Sequence, residues 1–186
     1  LRSDAPDPHS RLGKRTFLHL VNFSAGQFDE VINPFYGAPQ SIYSDHFQWQ
    51  DGTTGKMSYK LEVPPLQPAL ASTLLGGFGP QSGLSMEQLP HTHAMLALLR
   101  DGFHPDSTGG NVELRGDGTP VLDYQVSPYA WDGLRRAFHS MAEIQFAGGA
   151  KAVKPLHSDA RFAKSLDEVR AQIDGLDLAL YRTRLG

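Results

Sequence analysis

The eight histidines are the residues of this 186-residue chain best suited to acid–base or metal chemistry, and their spacing gives few of them a partner. In His91-Thr92-His93 the two imidazoles fall on one side of an extended strand, because side chains two apart share a face. Zinc needs three or four converging ligands, and no third stands nearby in the sequence, so a structural or surface role is expected and no metal site is assigned. His9, His19, His104, His139 and His157 stand alone and are read as hydrogen-bonded structure.

Other chemistries meet similar limits. Cysteine is absent, which removes thiol nucleophiles, disulfides and Cys-based zinc sites and fits a reducing compartment. No Gly-x-Ser-x-Gly elbow is present. The carboxylate pairs Asp29-Glu30 and Asp167-Glu168 are accounted for by loop solvation and helix capping. Gly77-Phe78-Gly79-Pro80-Gln81-Ser82 approaches a dinucleotide fingerprint, but Ser82 stands at the third glycine position and the segment follows a predicted helix where a strand is required. The segment Tyr43-Ser44-Asp45-His46-Phe47-Gln48-Trp49 mixes polar and aromatic groups as a pocket wall does, with ordinary sheet surface as the alternative.

The elements that would position these residues follow from periodicity. Thr16–Phe23 and Ile42–Trp49 read as strands, the second with Tyr43, Phe47 and Trp49 alternating, so that Tyr43 and Phe47 share a face and His46 takes the other. Lys56–Val63 places Met57, Tyr59, Leu61 and Val63 on one face, and a short Gly-containing turn pairs it antiparallel with the strand ending at Trp49. Leu66–Leu75 predicts a short helix ended by Gly76-Gly77, with a flexible connection to Pro80. Thr92–Arg100 is apolar on both faces, which suits a central strand, although a buried helix has the same pattern.

Asn111–Arg115 and Val121–Tyr124 flank Asp117-Gly118 as a hairpin. Ser127 as N-cap with Pro128 behind it starts a helix whose stripe is Trp131, Leu134, Phe138 and Met141, ended by Gly148-Gly149. Ser165-Leu166-Asp167-Glu168 has capping-box form, with Glu168 set to reach the Ser165 amide, and this helix is predicted to run to about Asp174-Gly175. Hairpins dominate, so the fold class is α+β, an antiparallel or mixed sheet with helices packed on one face.

With 40% hydrophobic and 20% charged residues, one core and one domain are expected. A net charge of -3 with scattered Lys and Arg makes nucleic acid an unexpected partner. The longest apolar run, Ala94–Leu99, is far short of the roughly 20 residues that span a bilayer, so no membrane span is expected. No targeting signal is readable, which leaves cytoplasm and periplasm both open.

Several stretches together resemble the glucose-methanol-choline (GMC) family of flavin oxidoreductases. They are Leu1-Arg2-Ser3 with Pro6-Asp7 and Gly13-Lys14-Arg15; Pro39-Gln40-Ser41-Ile42-Tyr43-Ser44-Asp45-His46-Phe47; Gly110-Asn111-Val112-Glu113-Leu114 before Pro120-Val121-Leu122-Asp123-Tyr124; and Met141-Ala142-Glu143-Ile144-Gln145-Phe146. The resemblance implies that residues 1–186 are a segment of a substrate-binding domain, an antiparallel sheet with helices behind it, and that a separate FAD-binding domain precedes Leu1.

It further implies oxidation of a small-molecule alcohol, in which a histidine base takes the hydroxyl proton and hydride passes to FAD. The family's His-x-Met-Gly-Gly segment is not in this sequence, so no catalytic or cofactor-binding residue is assigned, and the segment alone is expected to be inactive. Tyr43, His46 and Phe47 are the residues through which it would line the substrate pocket. Oxygen, a quinone or a cytochrome would accept the electrons. The alternatives are a non-catalytic binding or interaction module and a subunit of a split flavoenzyme.

Overall fold

The computed structural model describes residues 5–75 and 77–177 and the backbone of residues 182–185. In chain order the elements are β1 (Val21–Gln27), β2 (Tyr43–Ser44), β3 (Tyr59–Glu62), α1 (Pro68–Leu74), α2 (Pro80–Glu87), a 3-10 turn (Leu89–His91), β4 (Thr92–Leu99), β5 (Asn111–Leu114), β6 (Pro120–Gln125), α3 (Pro128–Ala147), β7 (Ala152–Pro155), α4 (Leu166–Gly175) and β8 (Arg182–Leu185). The strands form two antiparallel sheets, ordered β2-β3-β4-β1-β7 and β5-β6-β8. This is the α+β architecture that the hairpin-rich sequence predicts.

Register decides which residues share a face of the larger sheet. Leu61, Ala97 and Asn22 lie side by side across β3, β4 and β1, as do Lys60, Leu98 and Val21 on the opposite face. Against the first face runs α3, and α4 packs on α3 and β7. Met57, Tyr59, Leu61, Met95, Ala97 and Leu99 form one core there with Ala130, Ala137, Phe138, Met141 and Ala142 of α3. The alanines let helix and sheet approach closely, and Gly133 sets the limit: a Cβ there would lie 2.9 Å from Met57 Cβ and 3.0 Å from Leu99 Cδ2. Each large side chain buried in this layer contributes about 1.5–3 kcal/mol.

The other face is covered over part of its area. Ala25 and Ala94 join Leu66, Ala71, Leu75 and Leu89 in a second, smaller core beneath α1. Toward Lys60, Leu98 and Val21 that cover ends.

Caps and turns follow their local chemistry. Ser127 Oγ accepts the Ala130 amide and starts α3. The β5–β6 hairpin closes on Gly118 at φ +80°, with the Thr119 amide donating to Asp117 Oδ1 and holding that carboxyl below its ordinary pKa. Ser165 Oγ accepts the Glu168 amide, but Glu168 Oε2 takes the Lys164 amide at 3.0 Å instead of the expected Ser165 amide.

Two strand expectations need larger correction. The predicted Ile42–Trp49 strand stops at Ser44, where the Gln48 amide donates to Asp45 O and turns the chain. The predicted Thr16–Phe23 strand lies further on, because Thr16 pairs with Gly110 and the ladder begins at Val21. Its Ser24-Ala25-Gly26 stretch has low β-propensity but forms the middle of the sheet, where contacts outweigh propensity.

Candidate functional site

On the open face, the ends of β3 and β4 and the segment before β1 enclose a cleft of about 470 Å³. Phe17, Leu18 and Leu98 supply its apolar wall, and His19, Gln48, Lys60, Glu62, Arg100 and Asp101 supply its polar groups. Strand alternation aims Lys60 and Glu62 to the same side, where Lys60 Nζ meets Glu62 Oε1 at 2.7 Å and lies 4.1 Å over the Tyr43 ring. The Glu62 hydrogen bond raises the Lys60 pKa.

Arg100 follows β4 and organises the rim. Its guanidinium sits 4.2 Å from the Trp49 ring and 5.3 Å from Phe103, and donates to Gly52 O at 2.5 Å and Ser58 Oγ at 3.3 Å. Next to it, Asp101 accepts the Gly102 amide and the Tyr124 hydroxyl, the latter at 2.5 Å. Burial, and then that bond to Asp101, push the Tyr124 pKa far above its ordinary value. Lys60 and Glu62 therefore neutralise each other, while Arg100 and Asp101 are held by neutral groups. They can orient a polar molecule by hydrogen bonds, and they include no nucleophile held against a base.

A second, more apolar cavity of about 310 Å³ lies at the edge of the sheet between β1 and α3, lined by Phe23, Trp131, Leu134, Phe138, Asn22 and His157 among others. Asn22 Nδ2 donates to Leu134 O at 2.9 Å, and the Asp159 amide donates to His157 Nδ1 at 3.2 Å.

The structure separates the three residues predicted to line a pocket. Tyr43 lies on β2 beneath Lys60, 60% exposed and facing the open side. Because the chain turns after Ser44, Phe47 swings inward and stacks on Tyr59 at 4.9 Å, against the core of the helix-covered side. His46 is exposed, edge-on to Phe47 at 4.8 Å and 2.9 Å from Gln50 Nε2 through its own Nε2. Tyr43 and Phe47 therefore do not share a face. Sequence reading missed Arg100, whose signal was only an Arg beside Asp101 after an apolar strand.

His91, His93, His104 and His139 are held by local structure, whereas among the described residues no hydrogen bond to the rings of His9 or His19 bears out the expectation for them. His91 Nδ1 is 3.0 Å from Glu30 O, while His93 faces Phe28 and Gln145 and burial lowers its pKa. His104 stacks on Tyr129 at 4.2 Å, and His139 meets Asp174 at 3.0 Å. Among the described residues no three His, Asp or Glu side chains cluster as metal ligands, and no helix is long and apolar enough to cross a membrane.

The glycine segment does not form a dinucleotide cradle. Gly79 starts α2, but the element before it is α1, and a Cβ at Gly77 would meet Gln81 Cγ at 3.2 Å, so the loop is filled by its own side chain. Gly77-Phe78-Gly79 therefore does not form a cradle for the pyrophosphate of a dinucleotide.

No family model matches the chain. It is similar to two curated proteins, an uncharacterized GMC-type oxidoreductase from each of two Mycobacterium tuberculosis strains, CDC 1551 / Oshkosh and ATCC 25618 / H37Rv, with 26% identity over 170 residues in both cases. Those matches cover 91% of this chain and 25% of each relative. The resemblance to GMC-type oxidoreductases is thereby borne out, and the chain spans about a quarter of the length of the relatives it matches.

Proposed function

We propose that this chain forms the substrate-side wall of a FAD-dependent oxidoreductase that converts an alcohol to a carbonyl compound, with flavin held by another part of the protein. The observation that carries this reading is the asymmetry of the large sheet. One face is sealed by α3 and α4, and the other presents a cleft of hydrogen-bonding groups over an apolar wall. Similarity to GMC-type proteins along almost the whole chain supplies the reaction class. In this role the chain binds and orients the alcohol, and flavin supplies the redox chemistry.

Residues 1–186 produced alone are expected to purify without flavin absorbance and to show no alcohol-dependent dye reduction. The protein carrying the flanking sequence is expected to show both. Stoichiometric flavin on residues 1–186 alone overturns the division of labour. A flanked protein that lacks flavin favours a non-catalytic module instead.

A further inference from the structure

The large sheet has a gap at the start of β1. The β1–β7 ladder ends at Ser24 and Pro155; the Leu156 amide donates once more, to Phe23 O at 2.9 Å, and the His157 amide turns back to Pro155 O at 2.8 Å. Among the described residues no strand flanks Val21 and Asn22 on that edge. Trp131, Leu134 and Phe138 of α3, spaced to share one helix face, meet the gap. With Phe23, Val126 and Leu156 they wall the apolar cavity of about 310 Å³, at the small end of ligand-sized sites.

One polar group of that wall is left half-satisfied. Asn22 is 8% exposed, and its Nδ2 donates to Leu134 O at 2.9 Å. A carbonyl only accepts, so this bond fixes which amide atom faces the helix and leaves Oδ1 as the remaining acceptor. Oδ1 is buried and has no hydrogen-bond partner among the described residues. A buried acceptor without a donor is unfavourable, and turning the amide over would set Oδ1 against Leu134 O. The walls are mainly carbon, which suits a ligand with an apolar body better than a water, since an ordered water takes several polar partners.

We propose that this cavity binds a small, flat, largely apolar molecule carrying one O–H or N–H donor, its ring among Phe23, Trp131 and Phe138 and its donor on Asn22 Oδ1. Aromatic walls favour an aromatic ring in offset or edge-on contact. The single acceptor then sets the selectivity. A donor-bearing ring gives up a bond to water and regains one, whereas a purely apolar ring leaves Oδ1 unsatisfied. The cavity shares no lining residue with the cleft on the open face, so the proposal does not depend on the flavin reading above.

Titration calorimetry of the full chain with phenol, toluene and anisole tests this, because the three rings are close in size and only phenol has a donor. Phenol is expected to bind at least about fivefold more tightly than either, the reverse of the order that a wholly apolar cavity gives. Nuclear Overhauser contacts from the phenol ring should fall on Phe23, Trp131 and Phe138. Asn22→Leu removes the acceptor and should make toluene the tighter ligand. Absent phenol binding, toluene or anisole binding as tightly as phenol, or ring contacts elsewhere each overturn the proposal. So does a folded Asn22→Leu that still prefers phenol; if that variant does not fold, the order of the three ligands and the ring contacts in the native chain decide.

Discussion

Leu98 and Leu99 are chain neighbours on β4, yet they meet different surroundings. Leu99 is fully buried between the sheet and α3 although it also borders the 470 Å³ cleft, whereas Leu98 is only partly buried and points to the open face and that cleft. The helix-covered face is built for contact: alanines and Gly133 bring α3 down, and Ser24 is tied to Gln145 and Tyr59 to Ser140. The open face instead carries the Lys60–Glu62 pair and Tyr43, with the Arg100 clamp at its rim. The larger core lies under the first face, and the second, covered in part by the smaller core beneath α1, leaves a cleft open.

The largest test of that contrast compares the two leucines. Leu99→Ala is expected to lower unfolding stability by about 2–5 kcal/mol through lost burial and a cavity, and Leu98→Ala by only about 1 kcal/mol. Urea denaturation of the two variants measures both. Equal costs would mean that the open face is covered in the native protein, which breaks the contrast.

Backbone approach gives the next effect. Gly133→Val forces atoms against Met57 and Leu99 and is expected to cost about 1–3 kcal/mol. Gly83→Ala, on exposed α2 with nothing within 4 Å of the new Cβ, is expected to stabilise by about 0.5–1 kcal/mol. Opposite signs in thermal melts support the packing argument, and a tolerated Gly133→Val removes it.

What the sequence made legible tracks the same contrast. β3, the hairpin, α3 and α4 have strong periodicity or caps, so local pattern and tertiary environment agree, whereas the apolar run of β4 suited a strand or a buried helix equally by period. Ser24-Ala25-Gly26 and the four-residue β7 carry no such pattern. They are strands because Gln145 of α3 and the neighbouring strands demand small residues there: a Cβ at Gly26 would lie 3.2 Å from Gln145 Nε2. The site was harder to read for a related reason. Alternation placed Tyr43 and Phe47 together, but the turn at Asp45–Gln48 reverses the chain, and the clamp on Arg100 joins residues about 50 positions apart in sequence.

The Ser24–Gln145 bond beneath the sheet offers a test of intermediate size. Ser24 Oγ donates to Gln145 Oε1 at 2.7 Å, and Gln145 Nε2 returns a bond to Ser24 O at 3.2 Å. Gln145→Leu leaves the buried serine hydroxyl without its acceptor and is expected to cost about 1–3 kcal/mol. Adding Ser24→Ala should recover part of that loss, since both partners are then apolar. Strict additivity in the double-mutant cycle would show that the two side chains act independently.

The smallest expected effect is a pH dependence at His93, which packs on the same network. Its ring stands 6.1 Å from Phe28 and 3.5 Å from Gln145 Nε2, and burial lowers its pKa below the ordinary 6.5. No charged group contributes to that shift. The folded state therefore resists protonation while the unfolded chain accepts a proton once the pH falls below 6.5. In that window the unfolded state binds more protons, so stability must rise with pH and be lost progressively on acidification toward the folded-state pKa. Urea midpoints measured from about pH 5 to about pH 7.5 should climb in the native sequence and climb less in His93→Asn. Parallel slopes in the two proteins would mean that this imidazole reaches solvent, and that the covered face is less tightly sealed beside Phe28 than beside Leu99.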